Sequence, residues 1–375
     1  MKKIGKYVSW ILIFALGIGL GILTSADLDA MLESGMPDVV YFASIYLTVL
    51  AICYLNVIVH EVGHLLFGLL TGYQFSSFRI LSFMWMRDES GKLCMKRYKL
   101  KGTGGQCLME PPELVDGRMP TVLYNMGGSI LNLAISAVCV GIWFVLAKGL
   151  EYRGVVTLFV MGFAVYGVYM ALANGIPLHL GMIDNDGMNA LNLRKNPKAM
   201  RAFWIELKYM SMLTQGKGIM DMPEEWSQLP TDAEMQNSHV AWLSGLSVDR
   251  LIVEHRFEEA IALLDHLLSA DIALIRLTRC SLIYERIFCE CMCGRDPETL
   301  EALRTHKQLK YMKAMKSHPG VIRTEYAYAR LVERDPDKSS KLETQFEQAA
   351  KKYPYAGFLK HDRELMQLVK EKEIL

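Results

Sequence analysis

The pentapeptide from His60 to His64, HEVGH, carries side chains whose types and spacing suit hydrolytic chemistry. On an α-helix, residues i and i+4 share one face, so the imidazoles of His60 and His64 can both bind one metal ion. Glu61 lies beside them, where its carboxylate can deprotonate a water whose pKa the metal lowers. The spacing therefore predicts a zinc site with Glu61 as the catalytic base. The alternative is two histidines that only form hydrogen bonds between helices.

The segment that carries this pentapeptide is itself a candidate membrane span. An apolar run from Val39 to Val59 leads directly into His60, and about 20 apolar residues suffice to cross a bilayer. Ionisable groups inside a span cost about 3 kcal/mol each unless they are paired, ligated or in contact with water. A functional role for the two histidines is therefore favoured.

Hydropathy divides the 375-residue chain into two parts. The first part has four long uncharged stretches, which predict spans at about 8–24, 39–66, 121–147 and 155–177. The second part is rich in charged residues and has only short apolar runs. We therefore expect a mainly α fold, with a polytopic bundle of membrane helices at 1–188 and a cytoplasmic helical domain at 189–375. The net charge of +1 does not suggest nucleic-acid binding.

Charged residues next to the spans predict the orientation of the chain in the membrane. Lys2, Lys3 and Lys6 precede the first span, and the segment after it, Ser25 to Asp38, contains four acidic residues and no basic one. By the positive-inside rule, the N-terminus is cytoplasmic, and four crossings leave both termini in the cytoplasm. His60 and His64 then lie near the cytoplasmic face.

An alternative interpretation of the first span is a cleaved signal peptide. The residues Thr24-Ser25-Ala26 resemble a small-residue cleavage site. The predicted orientation of the other three spans is the same in either case.

A catalytic zinc ion usually has three protein ligands, so the pentapeptide needs a partner on the same side of the membrane. The fourth predicted span ends on that side and is followed by three residues that can bind zinc. These candidates are Asp184, Asp186 and His179. The charge-based orientation and the motif therefore point to the same segment for the third ligand.

Two further sequence elements follow the pentapeptide. The first, at 128–132, has Gly128 and Asn132 with Ser129 after the glycine. The second begins with Asn174 and Pro177 and ends with Asp186-Gly187.

These elements together resemble those of the site-2 protease family of intramembrane zinc metalloproteases, over about 39–187. The resemblance implies zinc as cofactor, Asp186 as third ligand and a role for Asn174 in positioning the substrate backbone. Ser129 stands where the family usually has proline. The family aspartate usually lies about eight residues after its asparagine, where this chain has Met182. We choose Asp186 because a glycine follows it, with Asp184 as the alternative.

A β-hairpin is predicted between the first two elements, at about 78–100. The segments Phe78–Met86 and Leu93–Leu100 alternate in polarity, and Asp88-Glu89-Ser90-Gly91 between them is typical of a turn. The edge of such a hairpin can accept an extended peptide by strand addition.

The second half of the chain is predicted to be helical. Residues 257–264 have a 3.6-residue apolar period, and Asp296-Pro297 and Asp335-Pro336 are typical helix starts. Their spacing near forty suggests a tetratricopeptide-like array that binds a cytoplasmic protein partner. The alternative is an irregular helical bundle that only stabilises the membrane domain.

These features lead to an expected function. We expect a multi-pass membrane protein that uses zinc to hydrolyse a peptide bond of a membrane-anchored substrate near the cytoplasmic face of the lipid bilayer. The family resemblance suggests a bacterial cell membrane. The alternative is a catalytically degenerate, membrane-tethered adaptor that binds partners through residues 189–375. The preserved Glu61 argues against the adaptor, because a structural zinc site needs no base next to its ligand.

Overall fold

The computed structural model describes residues 2–98, 104–178, 184–294 and 297–372. The chain divides into two compact units. The first unit contains residues 1–74, 104–107 and 120–195, and the second contains residues 75–103, 108–119 and 196–375. The two units therefore do not follow a single boundary near residue 188.

The described part of the first unit consists mainly of helices: α1 (Lys2–Glu33), α2 (Asp38–Leu70), α3 (Val122–Phe144), α4 (Val155–Gly175) and α5 (Asp186–Lys195). A π-helical turn, Val145–Gly149, extends α3. The helices α1 to α4 are long and apolar enough to cross a membrane. Large apolar side chains on them are exposed, among them Val39, Phe42 and Leu47, as lipid-facing helices require. The four apolar helices predicted from hydropathy are therefore present.

Helix α1 continues beyond the predicted end of the first span. We expected that span to end near Thr24 and a loop to follow, but the helix runs to Glu33. The buried carboxylate of Asp27 accepts a hydrogen bond from Thr157 Oγ1 at 2.7 Å and lies 3.5 Å from Arg153. The Thr157 and Arg153 contacts both go to Oδ1 of this acid, and they offset part of the cost of carrying it in a buried position. The candidate cleavage site at Thr24 lies inside this helix.

Helices α2, α3 and α4 pack against one another, and α1 packs against α4. Small residues permit close contact, since a Cβ on Gly162 of α4 would lie 2.7 Å from Ile52 Cδ1 of α2. Asn56 of α2 also donates a hydrogen bond to the Phe163 carbonyl of α4 at 3.3 Å. These contacts fix the part of α2 that leads into His60.

A four-stranded sheet has the strands β1 (Gln74–Ile80), β2 (Phe83–Arg87), β3 (Leu93–Arg97) and β4 (Gly105–Glu110), in the order β3-β2-β1-β4. Strands β2 and β3 form the predicted hairpin, and Asp88 closes its turn by accepting hydrogen bonds from the Ser90 and Lys92 amides, both at 3.0 Å. We expected one strand from Phe78 to Met86, but the chain reverses at Leu81, which has φ 53°, and β1 pairs antiparallel with β2. No glycine or proline marks this reversal in the sequence, so the interpretation as one strand missed it.

The described C-terminal part of the second unit contains the helices α6 (Pro197–Thr214), α7 (Ser238–Val253), α8 (Phe257–Ser269), α9 (Arg276–Cys293), α10 (Pro297–Leu303), α11 (His306–Ala314), α12 (Pro319–Ala327), α13 (Pro336–Ala350) and α14 (Ala356–Glu371). The predicted helix starts are confirmed. Helix α10 begins at Pro297, and Asp335 caps α13 by accepting a hydrogen bond from the Lys338 amide at 2.9 Å. The periodic segment 257–264 lies in α8 and buries Ile261 and Leu264.

Five helices of the second unit each contribute one side chain to an inner polar row. Consecutive members of this row are 36 to 40 residues apart in the chain. The members are Tyr209, Asp249, Glu285, Arg323 and Asp362. Tyr209 is hydrogen-bonded to Asp249, and Arg323 forms ion pairs with Glu285 and, at 2.7 Å, with Asp362.

The helices that carry the inner polar row are α6, α7, α9, α12 and α14. Consecutive members of this series pack together, and α14 also packs against α6. The last helix therefore contacts the first, and the row lies inside the unit. The helical character predicted for 189–375 is confirmed, whereas the tetratricopeptide-like arrangement stays a prediction.

Candidate metal centre

Helix α2 places the three side chains of the pentapeptide inside the first unit. His60, Glu61 and His64 are all buried, and the helical spacing brings the two imidazole centroids to 4.8 Å. The Glu61 carboxylate lies against Gly105 at the start of β4, where a Cβ would be 2.5 Å from Glu61 Oε1. Glycine at position 105 thus leaves room for the predicted base.

Glycines also let α3 approach this part of α2. A Cβ on Gly63 would overlap the Gly127 carbonyl, and a Cβ on Gly128 would lie only 2.5 Å from Cε1 of the His60 ring. Real side chains do not tolerate such distances. The glycine inside the pentapeptide and the Gly127-Gly128 pair therefore have a packing role, in which the His60 imidazole lies directly on the α3 backbone.

Neighbouring hydrogen-bond acceptors select the tautomers of both histidines. His64 Nδ1 lies 2.8 Å from the Tyr124 carbonyl, which can only accept, so Nδ1 carries the proton. His60 Nδ1 lies 3.0 Å from Asn132 Oδ1, and the Asn132 amide nitrogen donates to Asn56 Oδ1 at 3.1 Å. Asn132 therefore presents its oxygen to His60. Both histidines then direct an Nε2 lone pair to the same place, as metal-binding imidazoles do.

Asp186, the first residue of α5, supplies the third group. Its Oδ2 lies 3.1 Å from His60 Nε2 and 3.4 Å from His64 Nε2, and the two Nε2 atoms are 3.2 Å apart. Among the described residues, this trio is the group of histidine, cysteine and carboxylate side chains whose ligand atoms lie close enough together to hold a metal ion.

The dimensions of this triangle fit zinc. Tetrahedral zinc with bonds of about 2.0–2.1 Å requires ligand atoms about 3.3–3.4 Å apart, and the observed sides are 3.1, 3.2 and 3.4 Å. Two imidazoles and one carboxylate are also a donor set that zinc uses in catalytic sites, with the fourth position left for water. The residues present therefore fit the ion that the sequence predicts.

The charge state of Asp186 suits a metal ligand. Burial of its carboxyl favours the neutral form. In the metal-free site, where the histidines carry protons on Nε2 and donate to Oδ2, their hydrogen bonds and charges outweigh burial and hold the pKa of Asp186 well below its usual range. A bound metal ion would take the place of these Nε2 protons. Asp186 is therefore ionised at neutral pH, the form in which a carboxylate binds a metal ion.

The structure describes two of the other predicted site residues, Asp184 and Asn174. Asp184 is described but does not belong to the trio, and His179 lies outside the described residues. The Asn174 side-chain amide donates a hydrogen bond to the Met170 carbonyl of its own helix at 2.9 Å. Its predicted contact with substrate stays a prediction.

Three features of the site were not identified from the sequence. Tyr124 contacts His64 through its backbone carbonyl, which every residue has, so its side-chain type does not indicate this role. Gly105 has no side chain and therefore gave no sign of its contact with Glu61. Asn185, which is buried next to Asp186, could have been noticed as a polar residue between two acids at the end of a span.

No protein-family model, curated protein or solved structure matches this chain. The interpretation of the site therefore depends on its own geometry and on the motif resemblance.

Proposed function

We propose that this chain is an intramembrane zinc metalloprotease that hydrolyses a peptide bond of a membrane-anchored protein. The observation that carries the proposal is the triangle of His60 Nε2, His64 Nε2 and Asp186 Oδ2, with sides of 3.1 to 3.4 Å, next to a buried Glu61. A structural zinc site would have no need of a carboxylate beside its ligands.

Each side chain of the site has a role in this reaction. His60, His64 and Asp186 hold the metal, and zinc, when bound, supplies a Lewis acid that polarises the scissile carbonyl and lowers the pKa of a water. Glu61 accepts the proton of that water as the water attacks the carbonyl carbon, and it returns the proton to the leaving nitrogen. Burial of Glu61 keeps bulk water away from this transfer.

The sheet offers a route for presenting the substrate. A helical segment already uses its own amide groups in hydrogen bonds, so hydrolysis needs an extended peptide. Strand β4 is at one end of the sheet order, and its first residue, Gly105, lies against Glu61. A peptide added to this strand would pass near the proposed base.

The membrane setting follows from α1 to α4 and from the charges beside them. The positive-inside rule supports a cytoplasmic N-terminus and a site near the cytoplasmic face of a multi-pass protein. The family resemblance suggests a bacterial cell membrane. The helical domain at 196–371 would then bind a cytoplasmic partner or the soluble part of the substrate.

The test compares three full-length variants with the wild type in detergent. Zinc content and cleavage of candidate membrane-anchored substrates are measured for Glu61→Gln, Asp186→Asn and Asp184→Asn. We expect Glu61→Gln to retain zinc and lose cleavage, Asp186→Asn to lose both, and the matched control Asp184→Asn to keep both. Full cleavage by Glu61→Gln would refute the mechanism, and loss of zinc in Asp184→Asn alone would refute the ligand assignment.

A further inference from the structure

Asn185 uses its whole side-chain amide to connect the end of α4 with the start of α5. Its Oδ1 accepts hydrogen bonds from the Leu178 and Met188 amides, both at 3.0 Å. Its Nδ2 donates to the carbonyls of Ala173 at 2.8 Å and Ile176 at 2.6 Å. An asparagine amide has two donor hydrogens and two acceptor lone pairs, so every position is occupied.

These bonds supply hydrogen-bond partners to carbonyls at the end of α4, which would be costly to bury without them. Helix α4 ends at Gly175, and Ile176 adopts an extended conformation before Pro177, so carbonyls of the last turn have no helical partner. Asn185 is only 4% exposed and supplies donors to two carbonyls in this region. Gly187 adds a second contact, because a Cβ there would overlap the Gly175 carbonyl. The backbone on both sides of Asp186 is thus tied to the end of α4.

Within the described part of the chain, the Asp186 carboxylate is less extensively bonded than the Asn185 amide. Its hydrogen bonds and ion pairs among the described residues are those with His60 and His64. Its direction is therefore set by the backbone at residue 186, and the neighbouring Asn185 holds that backbone. A metal ligand must be placed to within about 0.2 Å.

We propose that Asn185 is a positioning residue of the metal centre, which holds Asp186 so that Oδ2 faces both histidine Nε2 atoms. The zinc part of this inference rests on the proposed function. Asn185 does not touch the metal position itself and acts through Asp186.

The first test measures zinc affinity of the full-length protein in detergent, by competition with a chelator of known affinity. We expect Asn185→Ala to weaken binding about 10- to 100-fold, the usual effect of removing a residue that orients a ligand. Asn174→Ala is the matched control, because that asparagine donates one bond within the same helix end, and its affinity should stay within about twofold of wild type. A residue that only stabilises the fold would lower the melting temperature without this difference in affinity.

The second test needs no metal. Hydrogen exchange of the metal-free protein is followed at the Leu178 and Met188 amides, which should exchange faster in Asn185→Ala and at the wild-type rate in Asn174→Ala. Faster exchange together with weaker zinc binding supports the positioning role. Unchanged affinity in Asn185→Ala overturns it, whether or not exchange accelerates. If the wild type binds no zinc, the proposed function fails, whereas exchange still shows whether Asn185 holds the backbone around Asp186.

Discussion

Replacement of Gly128 by alanine should disable the metal centre without changing any predicted ligand or base. A Cβ at position 128 would lie 2.5 Å from Cε1, 2.6 Å from Nδ1 and 2.7 Å from Nε2 of His60. An ordinary contact of about 3.5 Å requires the imidazole or helix α3 to move by about 1 Å. That is about five times the tolerance of about 0.2 Å for a metal–ligand distance.

The expected result is a zinc affinity at least about 100-fold weaker than that of wild type, or about 2.7 kcal/mol. The control is Gly141→Ala in the same helix, where a Cβ meets nothing within 4 Å. Both substitutions gain about 1 kcal/mol of helix propensity, so the difference between them reports the contact with His60. The assay is chelator competition on the full-length protein, with the melting temperature of each metal-free variant recorded alongside.

Equal zinc affinity for Gly128→Ala and Gly141→Ala would refute this reasoning. It would mean that His60 is not held against the α3 backbone, or that it does not bind the metal. A lower melting temperature of Gly128→Ala with unchanged affinity would likewise contradict the placement of the imidazole.

Two other predictions concern hydrogen bonding and pH. Asn132→Leu removes the acceptor of His60 Nδ1 and should weaken zinc binding about 10- to 100-fold, as measured by the same competition. In the inner polar row, burial first and the charge of Glu285 second raise the pKa of Asp249 to about 8, and burial raises the pKa of Glu285 to about 7. Between the unfolded pKa values near 4 and these raised values, the folded protein holds protons that the unfolded chain has released, so its stability falls as pH rises from about 4 to about 8. Burial lowers the pKa of His318 to about 4, which opposes this trend below about pH 6.5. Melting temperatures of the full-length protein should therefore decline from about pH 6.5 to about 8, and Asp249→Asn should flatten the decline; a melting temperature that rises across this range would contradict the burial of these carboxyls.

The sequence predicted those parts of the site that depend on local geometry. His60, Glu61 and His64 lie within five residues, and a helix alone brings them together. The choice of Asp186 over Asp184 came from the family resemblance. The structural basis for the position of Asp186 is the set of bonds made by Asn185, which join residues up to twelve positions apart and leave no periodic signal.

Features that depend on distant contacts were missed for the same reason. The extended part of α1, which runs to Glu33, contains Asp27, whose hydrogen-bond partner Thr157 is 130 residues away. The reversal at Leu81 occurs at a non-glycine residue with positive φ, for which the sequence has no marker. The inner polar row follows the predicted spacing near forty residues, but its members differ in type, so it is not visible as a sequence repeat.

The charges of the metal centre favour a dication on grounds independent of the distances. Asp186 and Glu61 are the acids of the site, and the groups bound to the two histidine Nδ1 atoms are neutral, an amide from Asn132 and a backbone carbonyl from Tyr124. One zinc ion would balance the charge of two ionised carboxylates in this buried site. A further carboxylate hydrogen-bonded to Nδ1 of either histidine would give the zinc-bound centre a net negative charge. Neutral acceptors for the histidine Nδ1 protons, an asparagine amide and a backbone carbonyl, are therefore consistent with a zinc site in a low-dielectric environment.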